Sequence, residues 1–470
     1  MTKQFKRRDF LKTTGAATAF TIVPRFVLGG PGDVAPSDTV YIAGIGAGGK
    51  GTSDLTSCAE SKHAKISFLC DVDDRMAVES KKNFPDAKYY NDFRKLLNRK
   101  HKQIDAVIVS TPDHTHAVAA MAAMQLGKHV YVQKPLTHSI GEARALTEAA
   151  KKYQVVTQMG NQGASEEPVR RMKEIVDAGL IGEVHRVYAW TDRPVWPQGI
   201  AAPTGKHEIP KELDWDLWLG PAQAIDYNPA YLPFNWRGWW RFGTGALGDM
   251  GCHVMDPVFR ILPIDYPTSV ECSATAAYEG FFKVARYTES CPSSSITHLT
   301  FPRTDGKGDI LLTWMDGGLR PKLPEELPAD HEMAELTNGV IFEGSKGKLI
   351  GSHGSEPLLL PLSLNDQIAA VPKTEPRVPE GHYVAWVEAC MKGQGDSDLS
   401  SRFEYAGPFT EAVLMGNLAI RSYQMEISEG GNSSYPGRKK LLWDAKNMKV
   451  TNFDPANEFV LRQYRDGWSL

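Results

Sequence analysis

The sequence has few cysteines for its length, and none of them has the spacing of a zinc ligand set or a redox pair. Six occur among 470 residues, and no two form a C-x-x-C pair. This pattern excludes a zinc-finger scaffold and a small disulfide-stapled fold, and we predict no metal site. The cysteines are predicted to be buried thiols, with a disulfide between Cys272 and Cys291 as the alternative.

An excess of charge of either sign is also missing. Lysine and arginine total 53 and the acidic residues 56, so the net charge is −3. So balanced a chain has neither a basic stripe for nucleic acid nor a polybasic surface for an anionic membrane. Internal repeats and low-complexity runs are absent from the sequence. A length of 470 residues is enough for two domains with cores of their own.

The N-terminus is predicted to be a targeting address and not part of the fold. Lys6-Arg7-Arg8-Asp9-Phe10-Leu11-Lys12 is a twin-arginine signal pattern. The apolar stretch that follows, 13–23, is too short to span a membrane. No cysteine directly follows this stretch, so a lipid-anchored form is not indicated. We predict a signal and linker over residues 1–36, export to the periplasm and no membrane anchor. A basic flexible tail is the alternative.

A glycine turn directly after an apolar run predicts a dinucleotide-binding unit. Gly44, Gly46 and Gly49 form G-x-G-x-x-G, in which the first glycine permits the turn, the second admits a pyrophosphate and the third lets the helix pack. Gly48 belongs to the same predicted site. Asp71 ends the next apolar run, where an acid binds the adenosine ribose and repels a 2′-phosphate, which favours NAD over NADP. The alternative is a glycine turn of some other α/β protein.

Alternating strand and helix patterns place this turn in a Rossmann-type α/β domain over residues 37–160. After it, residues 161–470 predict an α+β domain with an open, mostly antiparallel sheet that binds substrate and forms oligomers. The segment 439–470 has scattered apolar residues and no clear pattern. The predicted strands are 40–45, 66–70, 106–110, 129–133 and 155–159, then 183–190, 270–277, 296–301, 310–315 and 339–343.

Three further boxes follow the glycine turn in order. They are Thr111-Pro112-Asp113-x-x-His116, Lys134-Pro135 and Gly248-Asp249-Met-Gly-Cys-His253. Together the four boxes make the chain resemble the glucose–fructose oxidoreductase and inositol dehydrogenase family. The resemblance implies that Thr111, Pro112, His116, Gln133 and Lys134 contact the nucleotide. The family pattern has Glu before Lys-Pro, whereas this chain has Gln133, which removes a carboxylate from beside the lysine.

The same resemblance, together with the chemistry of alcohol oxidation, assigns catalytic roles. A histidine is the natural base for a hydroxyl proton near neutral pH, and a lysine ammonium stabilises the developing alkoxide. We therefore predict His253 as the base and Lys134 as the oxygen-binding cation. Asp249 lies four residues before His253, on one helical face with it, and orients the substrate or its neighbours. A histidine satisfied by a backbone carbonyl is the alternative for His253.

An aromatic and arginine-rich stretch before the Asp249 box predicts a sugar-binding wall, because sugar rings stack on aromatic side chains and arginines bind their oxygens. The predicted substrate-binding residues are Arg193, Trp236, Arg237, Trp240, Asp249 and His253. The alternative is that some tryptophans pack between the domains, and Trp215 and Trp218 fit that interpretation better.

The sequence thus predicts an exported oxidoreductase that moves a hydride between a carbohydrate or polyol hydroxyl carbon and a tightly bound NAD. An alternative is a glycoside hydrolase or lyase that oxidises its sugar transiently with the same cofactor. A non-enzymatic sensor is a third possibility, which the retained Lys134 and His253 argue against. A homo-oligomer, dimer or tetramer, is predicted because an open sheet presents a face to be covered.

Overall fold

The computed structural model describes residues 35–352, 354–393, 398–429 and 432–470. The chain divides into a short N-terminal unit, Met1–Thr39, and the unit Val40–Leu470. In the first unit the described part is a single 3-10 turn, Pro36–Asp38. The predicted twin-arginine signal and nearly all of its linker lie outside the described residues. The fold below is that of the second unit.

A six-stranded, wholly parallel sheet forms the first half of this unit, in the order β3-β2-β1-β4-β5-β6. This is the strand order of a dinucleotide-binding Rossmann fold, in which ligands bind at the carboxyl ends of the strands. The predicted Rossmann-type domain is therefore confirmed. The strands are β1 (Val40–Ile45), β2 (Ala64–Cys70), β3 (Lys88–Tyr90), β4 (Ala106–Val109), β5 (His129–Val132) and β6 (Thr157–Met159).

Helices cover both faces of this sheet. Their bounds are α1 (Lys50–Cys58), α2 (Val78–Asn83), α3 (Phe93–Lys100), α4 (Asp113–Gln125) and α5 (Ile140–Tyr153). Strand β3 and helix α3 have no counterpart in the sequence prediction. Strand β3 has three residues, none of them fully buried, so its pattern is too short to recognise. Helix α3 begins after Asp92, whose side chain caps the helix by accepting from the backbone N–H of Arg94.

The second half of the unit is built on a nine-stranded sheet in the order β15-β14-β13-β7-β12-β11-β8-β18-β19. Every pairing in it is antiparallel except that between β7 and β12, which confirms the predicted open, mostly antiparallel sheet. Its strands are β7 (Val184–Thr191), β8 (Ser269–Ala274), β11 (Ser295–Pro302), β12 (Asp309–Met315), β13 (Asn338–Gly344), β14 (Lys348–Ser352), β15 (Ser355–Leu360), β18 (Leu441–Asp444) and β19 (Lys449–Val450). Two small hairpins stand apart, β9 (Tyr278–Gly280) with β10 (Lys283–Val284) and β16 (Ile427–Glu429) with β17 (Asn432–Ser434).

The helices of the second half join the two sheets. They are α6 (Glu167–Asp177), α7 (Trp215–Leu219), α8 (Gly245–Val254), α9 (Asp256–Ile261), α10 (Gly381–Lys392) and α11 (Phe403–Gln424). Helix α11 is buried on nearly all sides and packs against both α5 and β8. Helix α10 packs back on the Rossmann sheet, where Trp386 and Val387 share a core with Ile42 and Leu55. The helices thus tie the two sheets into one body.

The C-terminal segment, which has no clear pattern in the sequence, forms β18 and β19 and then lies along the first sheet's helices. Arg462 donates to the carbonyl of His114 at 2.9 Å, and the Tyr464 hydroxyl donates to Glu142 at 2.6 Å. All six cysteines are free, which agrees with the prediction of thiols. Among the helices of the described residues, none combines the length and the apolar composition that a membrane crossing requires.

Candidate active site

The glycine turn lies between β1 and α1 and forms one end of the candidate site. Gly46 and Gly49 have φ values of +78° and +54°, which other residues adopt only with strain. A Cβ on Gly46 would lie 2.7 Å from the carbonyl carbon of Ser110, so β4 also requires a glycine there. Gly44 differs from its predicted role: a Cβ there would meet the Leu55 side chain at 2.8 Å, so this glycine admits α1 against β1 and does not make the turn.

Asp71 follows β2 and faces the glycine turn. Its Oδ2 accepts from the backbone N–H of Gly48 at 2.8 Å, and its Oδ1 accepts from that of Asp73 at 3.0 Å. Burial raises the pKa of Asp71 to about 6, although the two backbone N–H groups act against this rise. Two backbone donors therefore hold the carboxylate beside the glycine turn.

A cavity of about 620 Å³ runs from this turn to helix α8. It brings together the predicted residues Gly46, Gly48, Asp71, Lys134 and His253, among others. The predicted site residues that line it are Gly46, Gly48, Gly49, Asp71, Thr111, Pro112, Gln133, Lys134, Trp236, Arg237, Asp249 and His253. Gly44, His116, Arg193 and Trp240 are absent from the lining.

Lys134, Asp249 and Arg237 form one ion cluster in the cavity. Lys134 Nζ donates to Asp249 Oδ1 at 2.8 Å and to the backbone carbonyl of Asp249 at 2.9 Å. Arg237 Nε donates to the same Oδ1 at 3.2 Å. Burial raises the pKa of Asp249, but the charges of Lys134 and Arg237 outweigh burial and lower the pKa to about 2. Asp249 is therefore a permanent anion that holds two cations in place.

Helix α8 carries Asp249 and His253 on one face, as the spacing predicts. The helix follows Thr244 and runs over Gly245–Val254, and both side chains line the cavity. Residues four apart in a helix have Cβ atoms roughly 6 Å apart, so the imidazole lies one turn beyond the carboxylate that binds Lys134. Lys134 reaches the cavity from the end of β5, where the Lys134–Pro135 peptide is cis.

His116 has a different place from the one predicted. It is 1% exposed, and its ring nitrogens lie 2.8 Å from the carbonyl oxygens of Thr111 and Pro135. Burial lowers the pKa of His116, although the two carbonyls act against this, and the ring lies between the Thr111 loop and the Lys134 loop. The prediction that His116 contacts the nucleotide directly is thus wrong, because its helix points the ring at the backbone behind the site.

Arg193 and Trp240 also point away from the cavity, so their predicted substrate contacts are not formed. The Arg193 guanidinium pairs with Asp192 at 2.6 Å, beyond the end of β7. Trp236 and Arg237, in the 3-10 turn of residues 235–238, both line the cavity, whereas Trp240 lies beyond this turn and packs into the main core.

An aromatic cluster supports the cavity wall from behind. Trp215 stacks on Trp218 with ring centroids 4.8 Å apart, and Phe242 packs edge-on to Trp218 at 4.7 Å. Trp218 also lines the cavity, as does Phe234, which lies under the Arg237 guanidinium at 4.3 Å. Trp215 packs in this cluster outside the cavity lining, whereas Trp218 belongs to the wall, and the alternative that both pack between the domains stays a prediction.

The sequence prediction missed several cavity residues. Asp113 belongs to the Thr111 box, where the sequence prediction gives it no contact; it is 4% exposed, accepts from the Thr244 hydroxyl at 2.6 Å and lines the cavity. Burial raises its pKa to about 7, a rise that the Thr244 hydrogen bond and the Arg237 charge reduce. Lys50 follows the glycine turn directly, which is the signal that would have indicated it. Gln162 lines the cavity from between the two sheets, and no local signal marks it.

The cavity residues fit a dinucleotide. Around Gly49, a Cβ would have no neighbour nearer than 3.8 Å, so the turn faces open space where a phosphate fits. The Thr111 hydroxyl oxygen is buried and has no hydrogen-bond partner among the described residues, so it is available to a ligand group. The fold and the cavity together define a class: a Rossmann-type nucleotide-binding enzyme with a second domain built on an open, mostly antiparallel sheet.

Comparison with known families identifies this class further. Residues 40–161 match the Gfo/Idh/MocA oxidoreductase family with its NAD-binding Rossmann fold, and residues 165–288 match the family's C-terminal alpha/beta domain. The two matches cover just over half of the chain, so the protein belongs to this oxidoreductase family and its first domain binds NAD. The resemblance seen in the sequence is confirmed.

Similar proteins include a glycosyl hydrolase family 109 protein from Shewanella pealeana, 31% identical over 58% of this chain and 59% of the relative. Another, glycosyl hydrolase family 109 protein 1 from Shewanella sp. strain ANA-3, is 33% identical over 57% of this chain and 59% of the relative. The chain thus spans about three fifths of the length of these curated relatives. Among solved structures, levoglucosan dehydrogenase with NADH has a TM-score of 0.53 at 16% identity, over 82% of this chain and 98% of that one. The WlbA dehydrogenase of Chromobacterium violaceum, solved with NADH and UDP-GlcNAcA, has a TM-score of 0.54 at 15% identity. This likeness covers 82% of this chain and 94% of the WlbA chain.

Proposed function

We propose that the protein is an NAD-dependent oxidoreductase that transfers a hydride between a hydroxyl carbon of a carbohydrate or polyol and a tightly bound nicotinamide. One observation carries the proposal. The Lys134–Asp249 pair and His253 line the same cavity as the glycine turn and Asp71, so an alcohol-activating set lies at the far end of a dinucleotide site.

In this proposal the chain's own residues hold the nucleotide along the cavity. The glycine turn receives the pyrophosphate, Asp71 accepts from the adenosine ribose, and Thr111 supplies its buried hydroxyl. Asp71 also repels a 2′-phosphate, which makes NADP the poorer ligand. When bound, the nicotinamide supplies the hydride acceptor or donor.

The remaining residues stabilise the charge on the substrate oxygen and transfer its proton. Lys134 presents an ammonium whose direction is fixed by two hydrogen bonds to Asp249, and it stabilises negative charge on the substrate oxygen. His253 takes the hydroxyl proton in oxidation and returns it in reduction. Asp249 touches Lys134 and Arg237, so it acts on the substrate by positioning these cations.

The wall opposite the nucleotide suits a sugar or polyol. The Arg237 guanidinium carbon lies 4.3 Å from the ring centroids of both Phe234 and Trp236, so these two aromatic rings hold the guanidinium by cation–π contact. The Trp236 and Trp218 side chains offer apolar surface to ring C–H groups. This combination favours a polyhydroxylated ring over an apolar alcohol.

A second candidate is a glycoside hydrolase or lyase that works by transient oxidation. The relatives named as glycosyl hydrolase family 109 proteins favour it. Oxidation of one ring carbon acidifies the neighbouring C–H, and loss of that proton permits elimination of the glycosidic group with formation of a C=C bond. In the hydrolase water then adds across this bond, in the lyase the bond remains, and return of the hydride to the carbonyl carbon restores the hydroxyl. Release of aglycone from an aryl glycoside without net NADH formation would identify this reaction.

We further propose that residues 1–36 direct export through the twin-arginine route, so that the folded protein carries its NAD to the periplasm. The Rossmann domain is assigned to residues 37–160 and the substrate-binding domain to 161–470. The protein forms a homo-oligomer, a dimer or tetramer, through the second sheet. Mass spectrometry of the native protein after dialysis at neutral pH tests whether NAD stays bound. Loss of the nucleotide on simple dialysis would contradict the proposal that the exported protein carries its NAD.

The exchange His253→Ala tests the function itself. We expect turnover of the preferred sugar, measured as nicotinamide absorbance, to fall at least about 100-fold because the general base is lost. Binding of NAD, measured by nucleotide fluorescence, is expected to stay within about twofold, since His253 lies at the substrate end. Turnover that survives this exchange would remove His253 from the mechanism.

A further inference from the structure

Asp54, in helix α1, is a buried carboxylate that receives four side-chain hydrogen bonds. Its Oδ1 accepts from Lys50 Nζ at 2.5 Å and from the Tyr383 hydroxyl at 2.7 Å. Its Oδ2 accepts from the Ser110 hydroxyl at 2.7 Å and from Gln133 Nε2 at 2.9 Å. The side chain is 0% exposed, so these donors replace water entirely.

The four donors come from four separate parts of the fold. Lys50 begins helix α1, Ser110 follows β4, Gln133 follows β5, and Tyr383 belongs to helix α10. Lys50, Ser110 and Gln133 line the nucleotide cavity, whereas Asp54 lies behind the lining. One carboxylate therefore fixes three walls of the cavity and attaches them to α10.

Gln133 connects this carboxylate to Lys134. A carboxylate only accepts, so the amide must turn its NH₂ toward Asp54. Its Oε1 then accepts from the backbone N–H of Lys134 at 3.3 Å. A Cβ on Gly160 would lie 2.7 Å from the Gln133 carboxamide, so the amide is held between β5 and β6. The orientation of the Lys134 backbone thus depends on a hydrogen-bond chain that begins at Asp54.

The same geometry explains why this chain has Gln before Lys134. A glutamate at position 133 would place a carboxylate oxygen where the amide nitrogen now lies, 2.9 Å from Asp54 Oδ2. Two carboxylates at that distance cannot both be ionised. The acid in helix α1 therefore requires an amide at the end of β5.

We propose that Asp54 and Gln133 form one acid–amide unit that positions Lys134 and Lys50 for the nucleotide. Asp54 is its positioning residue, and the acid and the amide are exchangeable between the two positions. The inference rests on the proposed function in that Lys134 and Lys50 face a bound NAD. It concerns nucleotide binding, so it does not depend on which sugar reaction follows.

Three variants test this unit: Gln133→Glu, Asp54→Asn and the two combined. In the double variant the amide oxygen introduced at position 54 still accepts from Lys50 and Tyr383. The new NH₂ group at this position donates to the Ser110 hydroxyl and to the carboxylate introduced at position 133. Each single variant is expected to weaken NAD binding about 10- to 100-fold, since small displacements of positioning groups have effects of this order. The double variant is expected to return to within about threefold of the wild type.

The pH dependence of NAD binding separates positioning from simple loss of packing. In Gln133→Glu, the new carboxyl faces the titratable groups of three elements: Asp54, Lys50 and Cys58 from α1, Tyr131 and Lys134 from β5 and its end, and Tyr383 from α10. The two carboxylates then share a proton at low pH, and the protonated pair restores the missing hydrogen bond. NAD affinity of Gln133→Glu is therefore expected to recover as the pH falls from about 8 to about 5. The NAD affinity of the double variant is expected to show no such recovery.

Gln158→Glu is the matched control, because it is the same exchange at a buried site on the neighbouring strand β6, outside the cavity lining. We expect it to lower the melting temperature but to change NAD affinity less than about threefold.

If Gln133→Glu does not fold, Tyr383→Phe decides: it removes one donor from Asp54 and is expected to weaken NAD binding about fivefold. Unchanged NAD affinity in Gln133→Glu or Tyr383→Phe, or a double variant no better than the worse single one, overturns the proposal. Loss of turnover in His253→Ala with intact NAD binding is a separate outcome that concerns the reaction alone.

Discussion

The ion cluster around Asp249 makes a quantitative prediction for the exchange Asp249→Asn. The side chain is 15% exposed and holds Lys134 at 2.8 Å and Arg237 at 3.2 Å. Burial raises its pKa, but the two cations lower it to about 2, against 3.8 in an unfolded chain. This difference corresponds to about 2 kcal/mol of folding free energy at neutral pH. Asp249→Asn is therefore expected to lose about 2 kcal/mol at pH 7, measured by urea unfolding of nucleotide-free protein.

The sign of the pH dependence follows from the lowered pKa. The contribution is complete above the unfolded pKa of 3.8 and is lost as the pH falls through about 2. The gap between wild type and variant should therefore narrow from about pH 5 to about pH 3. Asp192→Asn, which breaks the 2.6 Å pair with Arg193 outside the cavity, is the control and should cost less than about 1 kcal/mol. A loss in Asp249→Asn that is no larger than in this control, or that does not change with pH, would refute the electrostatic account.

Two further exchanges address the other buried carboxyls. Burial raises the pKa of Asp113 to about 7, so ionising it destabilises the fold increasingly from about pH 4 to pH 7. Asp113→Asn is therefore expected to raise stability by up to about 4 kcal/mol at pH 8 and by less at pH 5, and a melting-temperature gain that is equal at both pH values contradicts this. Asp71→Asn keeps the hydrogen bond from Gly48 but loses the charge that repels a 2′-phosphate. Its preference for NAD over NADP in fluorescence titration should fall at least about tenfold, and an unchanged preference argues against the ribose assignment.

The sequence predicted best those features that depend on neighbours along the chain. The strand β1 is found with its predicted bounds, Val40–Ile45, because a buried parallel strand is a continuous apolar run. Helix α8 places Asp249 and His253 on one cavity-facing side, as their spacing indicates. The roles assigned to these side chains stay predictions. Strands β18 and β19 have only four and two residues, which is too short for a recognisable local pattern, and β18 joins the sheet through the distant strand β8.

Side-chain direction in irregular segments was beyond sequence reasoning. Trp236 and Trp240 occur in the same arginine-rich stretch, but the first lines the cavity and the second packs into the core. His116 and His114 belong to a helix whose first turn faces backbone carbonyls and not the nucleotide. Asp54 has no motif at all, because three of its partners, Ser110, Gln133 and Tyr383, are distant in the sequence and meet it only in the folded protein.

The two candidate reactions differ in the proton transfers that they require. The cavity carboxyls Asp249 and Asp113 differ in how well they could perform the additional transfer. Alcohol oxidation needs one base, and His253 suffices. Elimination of a glycosidic group requires a second group that removes a carbon-bound proton and then protonates the leaving oxygen, with a pKa near the working pH. Asp249, with a pKa of about 2 and two bound cations, is unsuited to that exchange. Asp113 lines the same cavity with a pKa of about 7. If the glycoside route operates, Asp113→Asn should abolish aglycone release while leaving reduction of NAD by a free sugar, and loss of both or of neither would separate Asp113 from that route.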